Sequence, residues 1–317
     1  MAQTDKKRLA GKVAIVSGSG RGIGRCEALL LAEQGARVII NDIGKDPDGA
    51  RRADKVAQEI RAAGGEAVAS TDSISTLEGA HRTVQTAVKT FGRLDILVNN
   101  AGLRAAYPID EITEEQWNLV LDSHLKGTYA LIKYAVPIFR SQRCGVIINT
   151  GSESGLGHPF NSAYAAAKEG IAGLTRSLAR ELGRFGIRCN MIRPRAATPG
   201  GPEFMEMYQK WMPIAQALGP YWLGERGHVR SGEMKPERVA ALVVWLCTEA
   251  ANDVNGQSFY VAGDEVGLWS EPQLVRCLTR PGGWDLDALD ESGPQSLIFD
   301  LTNRFLIKEA GDEAIKA

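Results

Sequence analysis

A short apolar run, followed at once by a glycine-rich loop and a helical stretch, constrains this chain more than any other feature. Val13-Ala14-Ile15-Val16 is continuous and apolar, as expected of a strand buried on both faces of a sheet. Ser17 to Gly24 then reads SGSGRGIG, and CEALLLAEQG follows with helical composition. Gly18, Gly22 and Gly24 let the backbone turn tightly and come close to a ligand. The helix behind them offers free N–H groups and its positive dipole end, which suits a phosphate. Arg21 and Ile23 lie in the same loop. A glycine-rich turn without a ligand is the plainer reading. The strand before and the helix after are the context that a dinucleotide site requires.

The alternation repeats along the chain. A second strand over 37–40 ends in Asn41-Asp42, and a helix follows over about 50–63. A third strand over 66–70 ends at Asp72-Ser73, and the next helix covers 76–91. The fourth strand, 94–98, ends in Asn99-Asn100-Ala101-Gly102. A long helix over 113–139 starts with a Thr-Glu-Glu-Gln capping box, and Pro137 should kink or end it. Further strands are expected at 145–148, 187–192 and 258–261, with helices over 162–185 and 237–250. Strands and helices alternating in this way predict an α/β fold: a doubly wound, parallel, seven-stranded sheet of Rossmann type, with ligands at the carboxyl ends of the strands. Residues 9–265 would form this dinucleotide-binding domain. A Met-, Trp-, Tyr-, Gly- and Pro-rich insertion over about 195–235 would cover the substrate, although Trp211, Tyr221 and Trp222 serve equally well as packing residues. Residues 266–317 form an extension. Its apolar-periodic stretch SLIFDLTNRFLIKEA would pack on the core or on a neighbouring subunit.

The chemistry-bearing residues cluster in NTGSESGLGHPFNSAYAAAK, Asn149 to Lys168. Tyr164 and Lys168 are four apart in an alanine-rich helix, so phenol and ammonium share one face. A free tyrosine has a pKa of about 10, and a fixed cation lowers it. Ser152, delivered from a loop, would hold the oxygen of an alcohol or ketone against Tyr164. Such a set moves a proton on or off a carbon-bound oxygen. Taken alone, Tyr-x-x-x-Lys is an ordinary helix surface pair; the rest of the chain overturns that reading. Asp42, 18 residues past Gly24, can accept hydrogen bonds from both hydroxyls of an adenosine ribose and would repel a 2′-phosphate. It therefore selects NAD over NADP. Arg21 pulls weakly the other way. Asp42 as a cap of the following segment is the alternative.

Composition narrows the field. The 317 residues carry a net charge of −1, so nothing draws the chain to nucleic acid or to an anionic membrane. The five cysteines form no CxxC pair and the four histidines no HExxH, so neither a metal site nor a disulfide framework is expected. The polar start MAQTDKKRLAGK lacks the apolar core of a signal peptide, and no apolar run approaches a membrane span. AIKA at the end is not a peroxisomal address of the SKL type. The expectation is a cytoplasmic protein.

The order Gly18-x-x-x-Gly22-x-Gly24, Asn99-Asn100-Ala101-Gly102, Ser152 and Tyr164-x-x-x-Lys168 resembles the short-chain dehydrogenase/reductase family over roughly residues 9 to 265. Within it the chain is most similar to the (3R)-hydroxyacyl-CoA dehydrogenase unit of multifunctional β-oxidation proteins. That likeness rests on Asn41-Asp42-Ile43-Gly44 and the longer loop after it, Asp72-Ser73, His124-Leu125-Lys126-Gly127 and Trp245-Leu246-Cys247. The resemblance implies that Tyr164 is the general acid/base and that Lys168 lowers its pKa and holds the nicotinamide ribose. It implies that Ser152 orients the substrate oxygen, that Asp42 binds the adenosine ribose and Asp72 the adenine, with Ser73 beside it, and that Asn100, Ala101 and Gly102 line the cofactor. It also implies a homodimer or homotetramer.

Three features depart from the family pattern. His124 stands where most members have an asparagine that holds a relay water; a main-chain carbonyl freed by a local helix distortion would serve the same water, and a packed helix residue is the other reading of His124. Ser152 lies one residue closer to the tyrosine than usual, which leaves Ser154 as a substitute. Pro194-Arg195 replaces the usual Pro-Gly, with Thr198 as a contact for the nicotinamide amide. Arg195 would meet an acidic substrate group or simply stay solvated. The expected function is NAD-dependent interconversion of a secondary alcohol and a ketone. A (3R)-hydroxyacyl-CoA would need cations at the pocket mouth, for which Arg193, Arg195 and Lys210 are candidates; a hydroxysteroid would need a long apolar slot. The rival of another class is a catalytically silent nucleotide-binding sensor or scaffold.

Overall fold

The computed structural model describes residues 7–103, 106–197 and 234–303, and Gln209. Eight strands, β1 (Val13–Ser17), β2 (Arg37–Asn41), β3 (Ala67–Ser70), β4 (Ile96–Asn99), β5 (Gly145–Thr150), β6 (Ile187–Arg195), β7 (Ser258–Ala262) and β8 (Glu265–Leu268), form one sheet in the order β3-β2-β1-β4-β5-β6-β7-β8. The first seven run parallel. The chain moves outward from β1 to β3 and then returns to place β4 on the other side of β1, so the order reverses between β1 and β4. That reversal opens a crevice at the carboxyl ends of these two strands.

Among the described residues the named α-helices are α1 (Gly22–Glu33), α2 (Arg52–Ala62), α3 (Leu77–Phe91), α4 (Glu114–Leu121), α5 (Gly127–Gln142), α6 (Ser162–Leu182), α7 (Pro236–Leu246) and α8 (Leu286–Ser296). The sheet separates two cores, and the strands feed them alternately. Ala14 and Val16 of β1 join Val38 and Ile40 of β2 against α1, α2 and α7. Val13 and Ile15, with Ile39 and Leu97, pack against α3, α5 and α6. Continuous apolar strands are therefore required, as their sequences show.

Four local features differ from expectation. First, an eighth strand, β8, pairs antiparallel with β7. The turn is Gly263-Asp264, and Gly263 takes φ +52°, the left-handed backbone that a two-residue hairpin demands. Gly-Asp between two runs is a hairpin signal; the mixed composition of Glu-Val-Gly-Leu masks it. Second, α5 continues through Pro137 to Gln142. Pro137 removes only the bond to the carbonyl four residues back, that of Lys133, and both residues lie on the exposed face. Third, the long helix is broken by one π turn, Asp122–Lys126, in which the Gly127 N–H reaches back to the Asp122 carbonyl. Fourth, β6 runs on to Arg195. At Pro194 and Arg195 it pairs only with β7, since β5 has already ended, so the missing proline N–H leaves no partner unsatisfied.

The insertion residues Trp211, Tyr221 and Trp222 lie outside the described residues. In the extension, α8 leads to Leu297, Ile298, Phe299 and Leu301, which stay exposed in this chain rather than packing on the core; the remainder of that apolar stretch lies outside the described residues. No described helix is long and apolar enough to cross a membrane.

Candidate active site

The glycine loop leaves β1 directly into α1. Arg21 precedes the first turn in extended conformation and makes no side-chain cap, so the first N–H groups of α1 are not taken up by a capping side chain. This is the donor set that an anionic phosphate requires. Arg21 itself is exposed. The spacing of the glycines also answers to packing: a β-carbon on Gly24 would lie 2.4 Å from Asn100 Nδ2 and 2.5 Å from the Gly18 carbonyl. Ile23, half-buried, packs against the core behind the loop.

Asn100 ties the end of β4 to this loop. Its amide donates to the carbonyls of Ser17 (3.0 Å) and Gly18 (3.1 Å). The Ser17 hydroxyl accepts from the backbone N–H groups of Asn100 and Ala101, each at 3.1 Å. Sequence reasoning does not single out Ser17, although its place at the carboxyl end of β1 is the available signal. Asp42 stands beside the loop. One of its oxygens accepts from Gly20 N–H at 2.9 Å and the other from Gly44 N–H at 2.7 Å. It thus braces the following segment, as the capping alternative has it, and each oxygen keeps a lone pair for a further donor. Asp72 faces Arg82 at 2.6 Å, while its carbonyl accepts from Asn41 Nδ2 at 2.9 Å. Ser73 offers its carbonyl to the Thr76 hydroxyl.

The second group is organised by α6. Lys168 is only 3% exposed; its Nζ donates to the Thr150 carbonyl at 2.6 Å and lies 5.5 Å from the centroid of the Tyr164 ring. Burial pushes this ammonium down to about 7. Thr150 ends β5, two residues before Ser152. Ser152 is buried and extended, and its Oγ accepts from Ser154 N–H at 3.1 Å. The Oγ–H of Ser152 therefore remains a donor, while Ser154 supplies the backbone donor that fixes it.

His124 sits in the π turn and is 3% exposed. Its ring meets that of Tyr164 edge-on, with centroids 5.1 Å apart. Nε2 lies 2.7 Å from the Leu103 carbonyl and 3.1 Å from the Leu103 N–H. A β-carbon on Gly102 would lie 2.0 Å from this ring, so Gly102 is the residue that admits it. Burial, and then the charge of Lys168, push the imidazole down to about 3, so it is neutral at working pH.

The cations expected at a pocket mouth are placed otherwise. Arg193 is 4% exposed and held inside the protein, so it presents no charge to an incoming ligand. Arg195 approaches Glu153 at 3.7 Å. Pro194 is half-buried within β6. Thr198 and Lys210 lie outside the described residues.

Comparison with known proteins bears on the family and the fold. Residues 12–201 match the family described as short chain dehydrogenase. The chain is 41% identical over 259 residues to the peroxisomal multifunctional enzyme type 2 of Drosophila melanogaster, covering 80% of this chain and 39% of that protein. It thus spans about two fifths of that relative's length. It is 37% identical over 295 residues to the hydroxyacyl-CoA dehydrogenase ChsB1 of Mycobacterium tuberculosis, covering 89% of this chain and 87% of that one. A crystal structure of a short chain dehydrogenase from Mycobacterium avium superposes with a TM-score of 0.75 at 36% identity, covering 90% of this chain and 93% of the other. The chain belongs to the short-chain dehydrogenase/reductase family and is an oxidoreductase.

Proposed function

We propose that this chain is an NAD-dependent dehydrogenase that interconverts a secondary alcohol and a ketone, with (3R)-hydroxyacyl-CoA esters as the substrate class. The observation that carries the reading is a continuous path of contacts. It runs from the glycine loop through Asn100 and Gly102 to His124 and Tyr164, and on to Lys168 and the Thr150 carbonyl. That path supports a reading in which a dinucleotide site and a proton-transfer site adjoin at the carboxyl edge of one sheet.

The uncapped start of α1 suits a pyrophosphate, and Asp42, with lone pairs to spare, suits the adenosine ribose. Asp72 and Ser73 would flank the adenine; Asn100, Ala101 and Gly102 would wall the cofactor; Pro194 and Thr198 would stand near the nicotinamide amide. When bound, NAD supplies the hydride chemistry. Tyr164 takes the proton from the substrate hydroxyl, or returns it to the carbonyl oxygen. In its protonated form Lys168, whose buried ammonium is pushed down to about 7, favours negative charge on that phenol. Ser152 donates to the substrate oxygen and stabilises charge there. The substrate class is supported by the name of the M. tuberculosis relative, which this chain covers almost end to end.

The test is a titration of NADH and NADPH by protein fluorescence, followed by a panel of (3R)-hydroxyacyl-CoA esters, hydroxysteroids and simple secondary alcohols on wild type and Tyr164→Phe. Tighter NADH binding, turnover of the CoA esters, and a loss of at least about 10²-fold in Tyr164→Phe are expected. Tighter NADPH binding would overturn the assignment of Asp42. Binding without any turnover would leave the sensor reading in place. The homodimer or homotetramer expected for the family is checked by sedimentation.

A further inference from the structure

Arg193 is a buried arginine that bonds other parts of the chain among the described residues. It stands on β6, and its Nη1 donates to the backbone carbonyl of Ser152 at 2.7 Å and to Glu169 Oε1 at 2.6 Å. Its Nε donates to the Ser258 hydroxyl on β7 at 3.2 Å, and its guanidinium lies 5.9 Å from the ring centroid of Trp269, just past β8. Glu169 is the residue next to Lys168 on α6. One side chain therefore bridges the loop that carries Ser152 and the helix that carries Tyr164 and Lys168, and anchors both to the β7–β8 hairpin. The short 3₁₀ turn Glu153–Leu156 lies directly on this pair. A β-carbon on Gly155 would sit 2.8 Å from Glu169 Oε1, 3.2 Å from Lys168 Cβ and 3.4 Å from Arg193 Nη1.

We infer that Arg193, held by Glu169, is a positioning residue: it sets where the Ser152 hydroxyl stands relative to the Tyr164 phenol. The inference rests on the reading of Ser152 and Tyr164 given above. A planar guanidinium suits the task, because it carries several donors in a fixed geometry and can bond a carbonyl, a carboxylate and a hydroxyl together. The Ser152 carbonyl also accepts from the Gly155 N–H at 3.2 Å, inside its own turn, so Arg193 supplies the shorter bond and the one that ties the turn to β6 and α6. Among the described residues its contacts are with the chain itself, and it acts through the serine.

The test compares wild type with Arg193→Met, Arg193→Lys and Glu169→Ala in the full chain. Three quantities are measured: kcat and KM on the best secondary alcohol of the panel, the Kd for NADH, and amide hydrogen exchange over residues 151–157. Arg193→Met should lower kcat about 10²-fold, the loss expected of a displacement of about 1 Å at the reacting centre, with KM and the NADH Kd changed by less than about threefold. Exchange should quicken over 151–157 while the amides of β1 and α1 keep their protection. Arg193→Lys should recover part of kcat, because it restores one donor. Glu169→Ala, at a partly exposed site, should give a smaller loss of the same kind, and keeps the test open if Arg193→Met does not fold. Unchanged kcat in folded Arg193→Met, unchanged exchange over 151–157, or equal loss of kcat and NADH affinity would overturn the inference. If wild type turns over no substrate, the functional reading fails, and the exchange measurement alone still decides whether Arg193 fixes the loop.

Discussion

Glu27 is fully buried on α1, and neither carboxyl oxygen has a hydrogen-bond partner among the described residues. Burial pushes its pKa up to about 8 from an ordinary value of 4.5. The unfolded chain loses this proton near pH 4.5, whereas the folded chain keeps it to about 8. Stability therefore falls as pH rises across that window and levels off above it. A tenfold change in proton affinity corresponds to about 1.4 kcal/mol, so the loss across the window amounts to several kcal/mol. Urea unfolding at several pH values should show this slope for wild type and not for Glu27→Gln; equal slopes would mean that the carboxyl is ionised in the fold. At Gly24 the consequence is steric. Gly24→Ala would press on Asn100 Nδ2 and the Gly18 carbonyl, so NADH affinity in fluorescence titration should fall at least about tenfold, with a lower Tm, through overpacking. The importance of Gly24 is legible from its place in the loop. The burial of Glu27 is not, because either acid of CEALLLAEQG, Glu27 or Glu33, reads equally well as an exposed helix position.

Elements are legible where one physical signal governs them. The Thr113 capping box forms as its residues imply, with the Thr113 hydroxyl accepting from Gln116 N–H and the Gln116 side chain returning to the Thr113 N–H. The π turn at Asp122–Lys126 carries no comparable signal, since its residues suit an ordinary α-helix and only the packing of His124 against Gly102 and Tyr164 marks it. The β7–β8 hairpin rests on Gly263 at positive φ. Gly263→Ala should cost about 1 kcal/mol or more, because a side chain there is strained. Urea unfolding measures that cost, and hydrogen exchange should show added opening confined to β7 and β8.

For the whole molecule, the proposed cofactor binds only the folded state, so it stabilises by mass action. NADH at about 100 times its Kd should add about 2.7 kcal/mol to the free energy of unfolding and raise Tm, with NADPH at equal concentration adding less. Equal shifts from the two would argue against Asp42 as the selector. The two cores give a reason to expect the proposed cofactor's effect to be global. β1 contributes Ala14 and Val16 to one core and Val13 and Ile15 to the other, while its last residue, Ser17, anchors Asn100. Pinning the crevice at the end of β1 therefore restrains elements on both faces of the sheet.

The doubly wound architecture, the strand-end placement of the glycine loop, and the pairing of Tyr164 with Lys168 follow from the sequence by itself, because each depends on local periodicity, glycine spacing or helical geometry. Only the tertiary structure decided the rest. His124 is neutral because packing strips it of water. Arg193, a candidate surface cation in the sequence, is instead drawn inward by Ser152, Glu169 and Ser258, residues 41, 24 and 65 positions away along the chain. Burial and hydrogen bonds between distant segments have no local signature, since they arise only when the sheet brings those segments together.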